Sequence, residues 1–124
     1  MEAPPKLEVE ADRTLLHTAV FNLISNAIKY NEPEGEISIR VETVDEETVF
    51  SVGNTGPGIP AEDQPRIFER FFRVSRANSP RSDGIGLGLS LAREIIRAHG
   101  GELSLKESRL GWTCFVFSLN RTAL

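Results

Sequence analysis

Apolar residues recur along the first part of the chain with the period of an amphipathic helix. They stand three or four positions apart from residue 15 to residue 28, which predicts a helix with one apolar side. That side comprises Leu15, Leu16, Ala19, Val20, Leu23, Ile24, Ala27 and Ile28. Asp12 is expected to cap the start of this helix, and residues 31–35 are expected to end it.

Alternating apolar and polar positions predict strands elsewhere. Short strands are predicted over 6–10, 36–43, 48–53, 102–108 and 113–119. Ile37, Ile39 and Val41 alternate with charged neighbours, so their strand is expected to be half-buried. Two further helices are predicted over 61–72 and 87–99. The order of the elements predicts a two-layer α/β sandwich, with helices packed on one face of a mixed β-sheet.

Length and composition limit the classes of protein to which this chain can belong. The 124 residues are expected to form one domain over 1–124. A net charge of −4 gives no support for a broad basic surface that binds nucleic acid. The lone cysteine, Cys114, is expected to be a small buried hydrophobe in a reducing cytoplasm. No apolar stretch approaches the roughly 20 residues that cross a bilayer, so no direct membrane contact is predicted.

Two amides line one side of the first predicted helix. Asn22, Asn26, Lys29 and Tyr30 share an arc of roughly 100° at the border of the apolar side. Asparagine is a poor helix former, so two of them on one side of a helix suggest that the amides have a polar role. An amide oxygen suits Mg²⁺, a lysine can neutralise phosphate, and a tyrosine can cover a base or ribose. The alternative is a solvated helix face on which the two amides are incidental.

The loop 54–60, Asn-Thr-Gly-Pro-Gly-Ile-Pro, follows a predicted strand and contains two glycines. Glycine permits tight turns and close approach of the backbone to a ligand. The Asn54 side chain can accept from the exocyclic amine of adenine and donate to a ring nitrogen. An ordinary turn formed by proline and glycine is the alternative.

The second glycine-rich segment, 83–89, opens the last predicted helix. The N–H groups at a helix start form a phosphate site. A dinucleotide-binding fingerprint would need glycine at position 89, where this chain has leucine, and no Gly-Lys-Ser/Thr ending of a Walker loop is present. The segment is therefore either another kind of phosphate loop or a structural glycine cluster.

A basic segment lies between the two loops. Residues 66–81 contain five arginines and one acidic residue. This patch can approach phosphates. It can equally dock a partner, with Phe71 and Phe72 as exposed anchors, whereas Phe68 is expected to pack into the core.

Taken in order, these elements resemble the catalytic, ATP-binding domain of bacterial sensor histidine kinases, of the GHKL type with the Bergerat fold. Residues 22–30 resemble the N box, 54–59 the G1 box, 67–73 the F box and 84–89 the G2 box. Gly111-Trp112-Thr113 is similar to the last motif of that family. The resemblance covers about residues 8–119, and it is the set of motifs in register that makes it specific.

The resemblance implies a role for each matching residue, with ATP and Mg²⁺ as cofactors. Asn26 would bind Mg²⁺, Asn22 would lie near the metal and phosphates, and Lys29 would contact phosphate. Around the nucleotide and its lid at 73–84, the remaining implied residues are Tyr30, Asn54, Gly56, Gly58, Ile59, Phe68, Phe71, Gly84, Gly86, Leu87, Gly88, Leu89 and Thr113. Asn54 would face the adenine amine, and Thr113 would lie below the base.

The implied function is transfer of the γ-phosphate of ATP to a histidine on a separate dimerisation domain, followed by a response regulator in two-component signalling. His17 and His99 lack the surroundings of a phosphoacceptor and are expected to be structural. The family usually has aspartate at the position of Asn54. The family's domain also usually begins with a further helix and strand, whereas residues 6–10 are predicted to be the first strand here, so an exposed sheet edge is expected.

Three alternatives stay open. A superfamily ATPase would need a general-base glutamate one turn before the metal asparagine, but that position is Asn22. A serine kinase acting on an anti-sigma antagonist fits the compact size. A degenerate module that only docks partners is the third.

Overall fold

Two helices lie on one face of a four-stranded sheet in a computed structural model, which describes residues 5–70 and 88–120, with side chains from residue 13 onward. The elements are α1 (Pro5–Tyr30), β1 (Ile37–Val44), β2 (Glu47–Asn54), a 3₁₀ turn (Gln64–Arg66), α2 (Gly88–Ala98), β3 (Glu102–Arg109) and β4 (Trp112–Asn120). The sheet order is β1-β2-β4-β3, and each described pair is antiparallel. The predicted two-layer α/β class is confirmed, although no parallel pair occurs among the described strands.

The core lies between the helices and two apolar rows that cross the sheet. Val52 lies opposite Phe115, and Phe50 lies opposite Phe117 with the rings stacked 5.1 Å apart. Opposite residues point to the same face, so both rows meet the helices. The helices contribute buried Ala19, Leu23, Ala27, Ala92, Ile95 and Ile96. Truncating one large member of such a core, as in Leu23→Ala, is expected to cost about 2–5 kcal/mol.

The predicted strand over 6–10 is wrong, because these residues belong to α1. Helix α1 begins at Pro5, where proline is favoured because the first helical N–H has no intrahelical partner. Lysine, leucine and glutamate favour helix, and five alternating residues were too short a pattern to outweigh that preference. The predicted cap at Asp12 is wrong for the same reason, since Asp12 lies inside the helix.

The edge strand β1 is more exposed than its alternation predicts. Ile37, Ile39 and Val41 keep 36%, 48% and 59% of their surface exposed. They face the helix side of the sheet, because Ile39 and Val41 lie opposite Val52 and Phe50. Among the described residues no helix covers them, so the expectation of a half-buried strand is wrong, whereas an exposed sheet edge is present.

The predicted helix over 61–72 is also wrong over the described residues. Turns and the 3₁₀ turn occupy 61–70 instead. Pro65 lies in the middle of this segment and has no N–H to donate to the preceding turn, which disfavours an α-helix. By contrast, α2 matches the helix predicted over 87–99 within one residue at each end.

Cys114 is buried, as expected for a small hydrophobe, and this burial raises the pKa of its thiol. Within the part of the chain that the structure describes, no helix is long and apolar enough to cross a membrane.

Candidate nucleotide-binding site

At one end of the sheet, a row of polar side chains lies next to the apolar rows. Asn54 lies opposite Thr113, and Thr113 lies opposite Ser108. Asn54 and Thr113 are buried, with 5% and 6% of their surface exposed. Buried polar groups are costly unless they find partners, so each hydrogen bond in this row matters.

The Asn54 amide is held by the backbone of the next residue. Nδ2 donates to the carbonyl oxygen of Thr55 at 2.6 Å. This bond directs the amino group toward the chain, and Oδ1 makes no hydrogen bond within the described residues. Oδ1 is therefore left as an acceptor, which is the property that recognition of an exocyclic amine requires.

Thr55 fastens this loop to the end of α1. Its Oγ1 donates to Asn31 Oδ1 at 2.5 Å and accepts from the Glu36 N–H at 2.8 Å. The Thr55 N–H also donates to the Glu36 carbonyl at 3.0 Å. The sequence prediction missed both Thr55 and Asn31, although each directly follows a predicted site residue.

The two glycines of the loop lie where a side chain cannot fit. A Cβ at Gly56 would lie 2.6 Å from the Tyr30 carbonyl oxygen. A Cβ at Gly58 would lie 2.6 Å from the Arg109 carbonyl oxygen, and Gly58 also has a φ of +83°. The Gly111 N–H donates to the Gly56 carbonyl at 2.9 Å, so the β3–β4 turn holds the loop. The close packing of the loop therefore explains why both positions are glycine, without reference to a ligand.

Ser108 joins the loop to the polar row. The Ile59 N–H donates to Ser108 Oγ at 2.8 Å, and Ser108 Oγ lies 2.8 Å from Thr113 Oγ1. Sequence reasoning missed Ser108. The sequence carries one signal for it. Leu103 and Leu105 alternate as inward-facing residues, but the next residue of this alternation, Glu107, is charged.

The amides of α1 face the start of α2. Asn22 Nδ2 donates to the Gly88 carbonyl oxygen at 3.3 Å. Asn26, one turn later on α1, is half-buried, and its side chain makes no hydrogen bond within the described residues. A Cβ at Gly88 would have no described atom within 4 Å. The first long helix and the last one therefore converge here.

Lys29 and Tyr30 lie at the end of α1, with Lys29 Nζ 5.8 Å from the centre of the Tyr30 ring. Lys29 is exposed and Tyr30 is partly buried. Leu89, on the first turn of α2, is partly buried against the core.

Phe68 is partly buried against the core, with its ring edge-on to Phe115 at 6.0 Å. The Phe68 ring also contacts Arg93, whose guanidinium carbon lies 4.7 Å from the centre of the ring. This agrees with the expected packing of Phe68. The predicted site residues Phe71, Gly84, Gly86 and Leu87 lie outside the described residues.

Neither histidine has the surroundings of a catalytic group. His17 is exposed on α1, and His99 Nδ1 donates to the Ile95 carbonyl at 2.8 Å. Among the described side chains, no three His, Cys, Asp or Glu residues cluster as metal ligands. An amide that shares its metal with phosphates does not need such a cluster, so the assignment of Mg²⁺ to Asn26 stays a prediction.

Comparison with known proteins agrees with this geometry. Residues 11–123 match the family described as histidine kinase-, DNA gyrase B-, and HSP90-like ATPase. The chain belongs to this family. Its relatives and the solved structures that it matches confirm the resemblance to histidine kinases that the sequence motifs indicate.

Relatives within the family include sensor kinases. The adaptive-response sensory kinase SasA of Gloeothece citriformis is 42% identical over 119 residues, which cover 95% of this chain and 29% of SasA. The sensor histidine kinase WalK of Bacillus subtilis is 38% identical over 99 residues, which cover 78% of this chain and 16% of WalK. The chain thus spans less than a third of the length of these relatives.

Solved structures show the same fold. The mycobacterial sensor histidine kinase MprB matches with a TM-score of 0.77 and 31% identity, over 86% of this chain and 72% of MprB. Full-length ShkA in complex with AMPPNP matches with a TM-score of 0.71 and 29% identity, over 85% of this chain and 21% of ShkA.

Proposed function

We propose that this chain binds Mg·ATP and transfers the γ-phosphate to a histidine on a separate dimerisation domain. The observation that carries the proposal is the hydrogen bond from Asn22 to the Gly88 carbonyl, which brings the amide side of α1 to the start of α2. A helix start favours anions, and the neighbouring Asn26 amide has no other hydrogen-bonding partner among the described residues. The relatives are named as sensor kinases, which supports the same reaction.

On this proposal the base lies against the polar row and the phosphates lie at the start of α2. Asn54 Oδ1 accepts from the adenine amine, Thr113 lies below the base, and Gly56, Gly58 and Ile59 shape the pocket. Tyr30 lines the nucleotide, and Leu89 and Phe68 support the phosphate side. Gly84, Gly86, Leu87 and Phe71 are assigned to the same site from the motifs alone.

Phosphoryl transfer requires mainly positioning and neutralisation of charge. Asn26 would hold Mg²⁺, which when bound supplies positive charge to the phosphate oxygens. Lys29 is exposed and its chain is long enough to reach a phosphate from the end of α1. Asn22 orients the start of α2. The nucleophile comes from a partner, because His17 is expected to be structural and His99 Nδ1 donates to the Ile95 carbonyl.

A cytoplasmic setting and a response regulator as the next partner belong to the same proposal. So does the assignment of residues 1–124 to one catalytic unit of a longer kinase, which the partial coverage of the relatives supports.

The test is phosphorylation in trans. The chain is incubated with Mg²⁺, ATP labelled at the γ-phosphate, and a separately produced dimerisation domain that contains its phosphoacceptor histidine. The expected result is acid-labile label on the dimerisation domain, absent when its histidine is replaced by alanine. Brisk ATP hydrolysis by the chain alone, lost in Asn22→Ala, would indicate an ATPase instead. Acid-stable label on a serine-containing anti-sigma antagonist would indicate a serine kinase, and absence of Mg·ATP binding would leave only a docking module.

A further inference from the structure

A β-bulge decides which side chain stands beside Thr113. Leu105 pairs with Phe115, but Glu107 then pairs with Cys114, so Lys106 is an extra residue in β3. Without the bulge, the register would continue to bring Glu107 opposite Thr113. With it, Ser108 lies opposite Thr113, and Glu107 points to the other face, where it is exposed. Bulges commonly re-aim side chains near functional sites.

The bulge therefore places a neutral hydroxyl next to Thr113 and removes a carboxylate from it. A carboxylate can only accept, so it would capture the Thr113 proton. A serine hydroxyl can both accept and donate, and its neighbours decide which it does toward Thr113.

The neighbours of Ser108 favour one direction. Its Oγ accepts from the Ile59 N–H at 2.8 Å, which leaves one proton to donate. Thr113 Oγ1, at 2.8 Å, is the remaining polar neighbour of Ser108 Oγ among the described residues. Either hydroxyl can donate in this pair, and one hydroxyl proton is left over in each case. If Thr113 donated, the proton left over would be on Ser108, which has no further acceptor among the described residues. If Ser108 donates, the proton left over is on Thr113, which lies opposite Asn54, where the proposed base binds.

We infer that Ser108 is a positioning residue for base selectivity: it fixes the Thr113 hydroxyl as a donor toward the base. This inference rests on the proposed function. With Asn54 Oδ1 as an acceptor in the same row, the pocket offers an acceptor and a donor side by side. Adenine presents the complementary pair, an amine beside a ring nitrogen, whereas hypoxanthine presents a carbonyl beside an N–H. The row therefore selects ATP over inosine triphosphate.

The test is the ratio of the dissociation constants of inosine triphosphate and ATP, measured by calorimetry with Mg²⁺. Wild type is expected to prefer ATP. In Ser108→Ala the Thr113 hydroxyl is free to turn and accept, so the ratio should fall about tenfold, the effect of one hydrogen bond. If Ser108 served only in folding, the substitution would weaken the binding of both nucleotides equally and leave the ratio unchanged.

Two further variants complete the design. Ser108→Thr keeps the hydroxyl and should retain the wild-type ratio. In a Thr113→Val background, Ser108→Ala should change the ratio no further, because the hydroxyl that it orients is gone. Should Ser108→Ala fail to fold, Ser108→Cys, which is similar in size but a weak hydrogen-bonding group, serves in its place.

The outcomes separate this inference from the function on which it rests. A wild type that binds no nucleotide overturns both. A wild type that prefers ATP, together with a Ser108→Ala variant of unchanged ratio, overturns the inference alone. Equal binding of the two nucleotides by wild type also overturns it, while ATP binding itself stands.

Discussion

The base side and the phosphate side of the candidate site are held in different ways. On the base side, the loop 54–59 is bonded to the end of α1 through Thr55, to the β3–β4 turn through Gly56, and to β3 through Ile59. On the phosphate side, the 3.3 Å hydrogen bond from Asn22 Nδ2 to the Gly88 carbonyl oxygen links α1 to the start of α2. The described contacts preform the base side, whereas Asn26 on the phosphate side makes no side-chain hydrogen bond among the described residues.

This difference separates two kinds of effect. A substitution on the base side breaks contacts that exist without nucleotide, so it should lower the free energy of unfolding of the free protein. A substitution on the phosphate side removes groups that have few contacts, so it should leave that free energy unchanged and alter binding. Comparing a residue of one side with a residue of the other therefore tests whether the two sides differ in this way.

Among the substitutions that compare the two sides, the largest expected effect is on stability, at a glycine of the base side. Gly58→Ala would place a Cβ 2.6 Å from the Arg109 carbonyl oxygen at a φ of +83°. Such strain costs about 2–3 kcal/mol, and denaturant unfolding measures it. Gly88→Ala is the matched control, since a Cβ there meets no described atom within 4 Å. Its unfolding free energy should stay within about 0.5 kcal/mol of wild type, while its affinity for ATP falls. Equal destabilisation by both substitutions would contradict the comparison.

Asn26→Ala should have the next largest effect, on binding alone. Loss of a ligand to Mg²⁺ is expected to lower the affinity for Mg·ATP about 30-fold, or about 2 kcal/mol, while affinity measured without Mg²⁺ stays the same. Calorimetry with and without the metal measures both quantities.

The control for that experiment is Asn31→Ala, at the end of the same helix. It removes the acceptor of the Thr55 hydroxyl, so it should lower stability and keep the metal dependence. If Asn26→Ala binds Mg·ATP as tightly as wild type, Asn26 is not the metal ligand.

Thr55→Val tests whether the hydroxyl network preforms the base side. The Glu36 N–H and Asn31 lose a partner, at an expected cost of about 1–2 kcal/mol in unfolding free energy. Thr55→Ser keeps the hydroxyl and should recover most of that loss in thermal unfolding. A valine variant as stable as the serine variant would show that these bonds contribute little.

The parts of the site also differ in how far they could be predicted from the sequence. The side of α1 that carries Asn22 and Asn26 follows from helical periodicity, and the glycines of loop 54–59 stand out by composition. Ser108 was missed because its position depends on a bulge, and one extra residue reverses which side chains point inward. The exposure of Ile39 and Val41 was missed because alternation identifies the face of a strand, not whether another element covers it.

Asn54→Asp should give the smallest effect, with opposite signs for binding and stability. A carboxylate is a stronger acceptor than an amide, so affinity for ATP should rise about threefold. Stability should fall by about 1 kcal/mol, because Asn54 Nδ2 donates to the Thr55 carbonyl at 2.6 Å and a carboxylate at this buried position cannot. Purine riboside triphosphate, which lacks the exocyclic amine, is the control ligand and should gain nothing. If its affinity rises as much as that of ATP, the Asn54 position acts through general charge, and the base side does not read the amine.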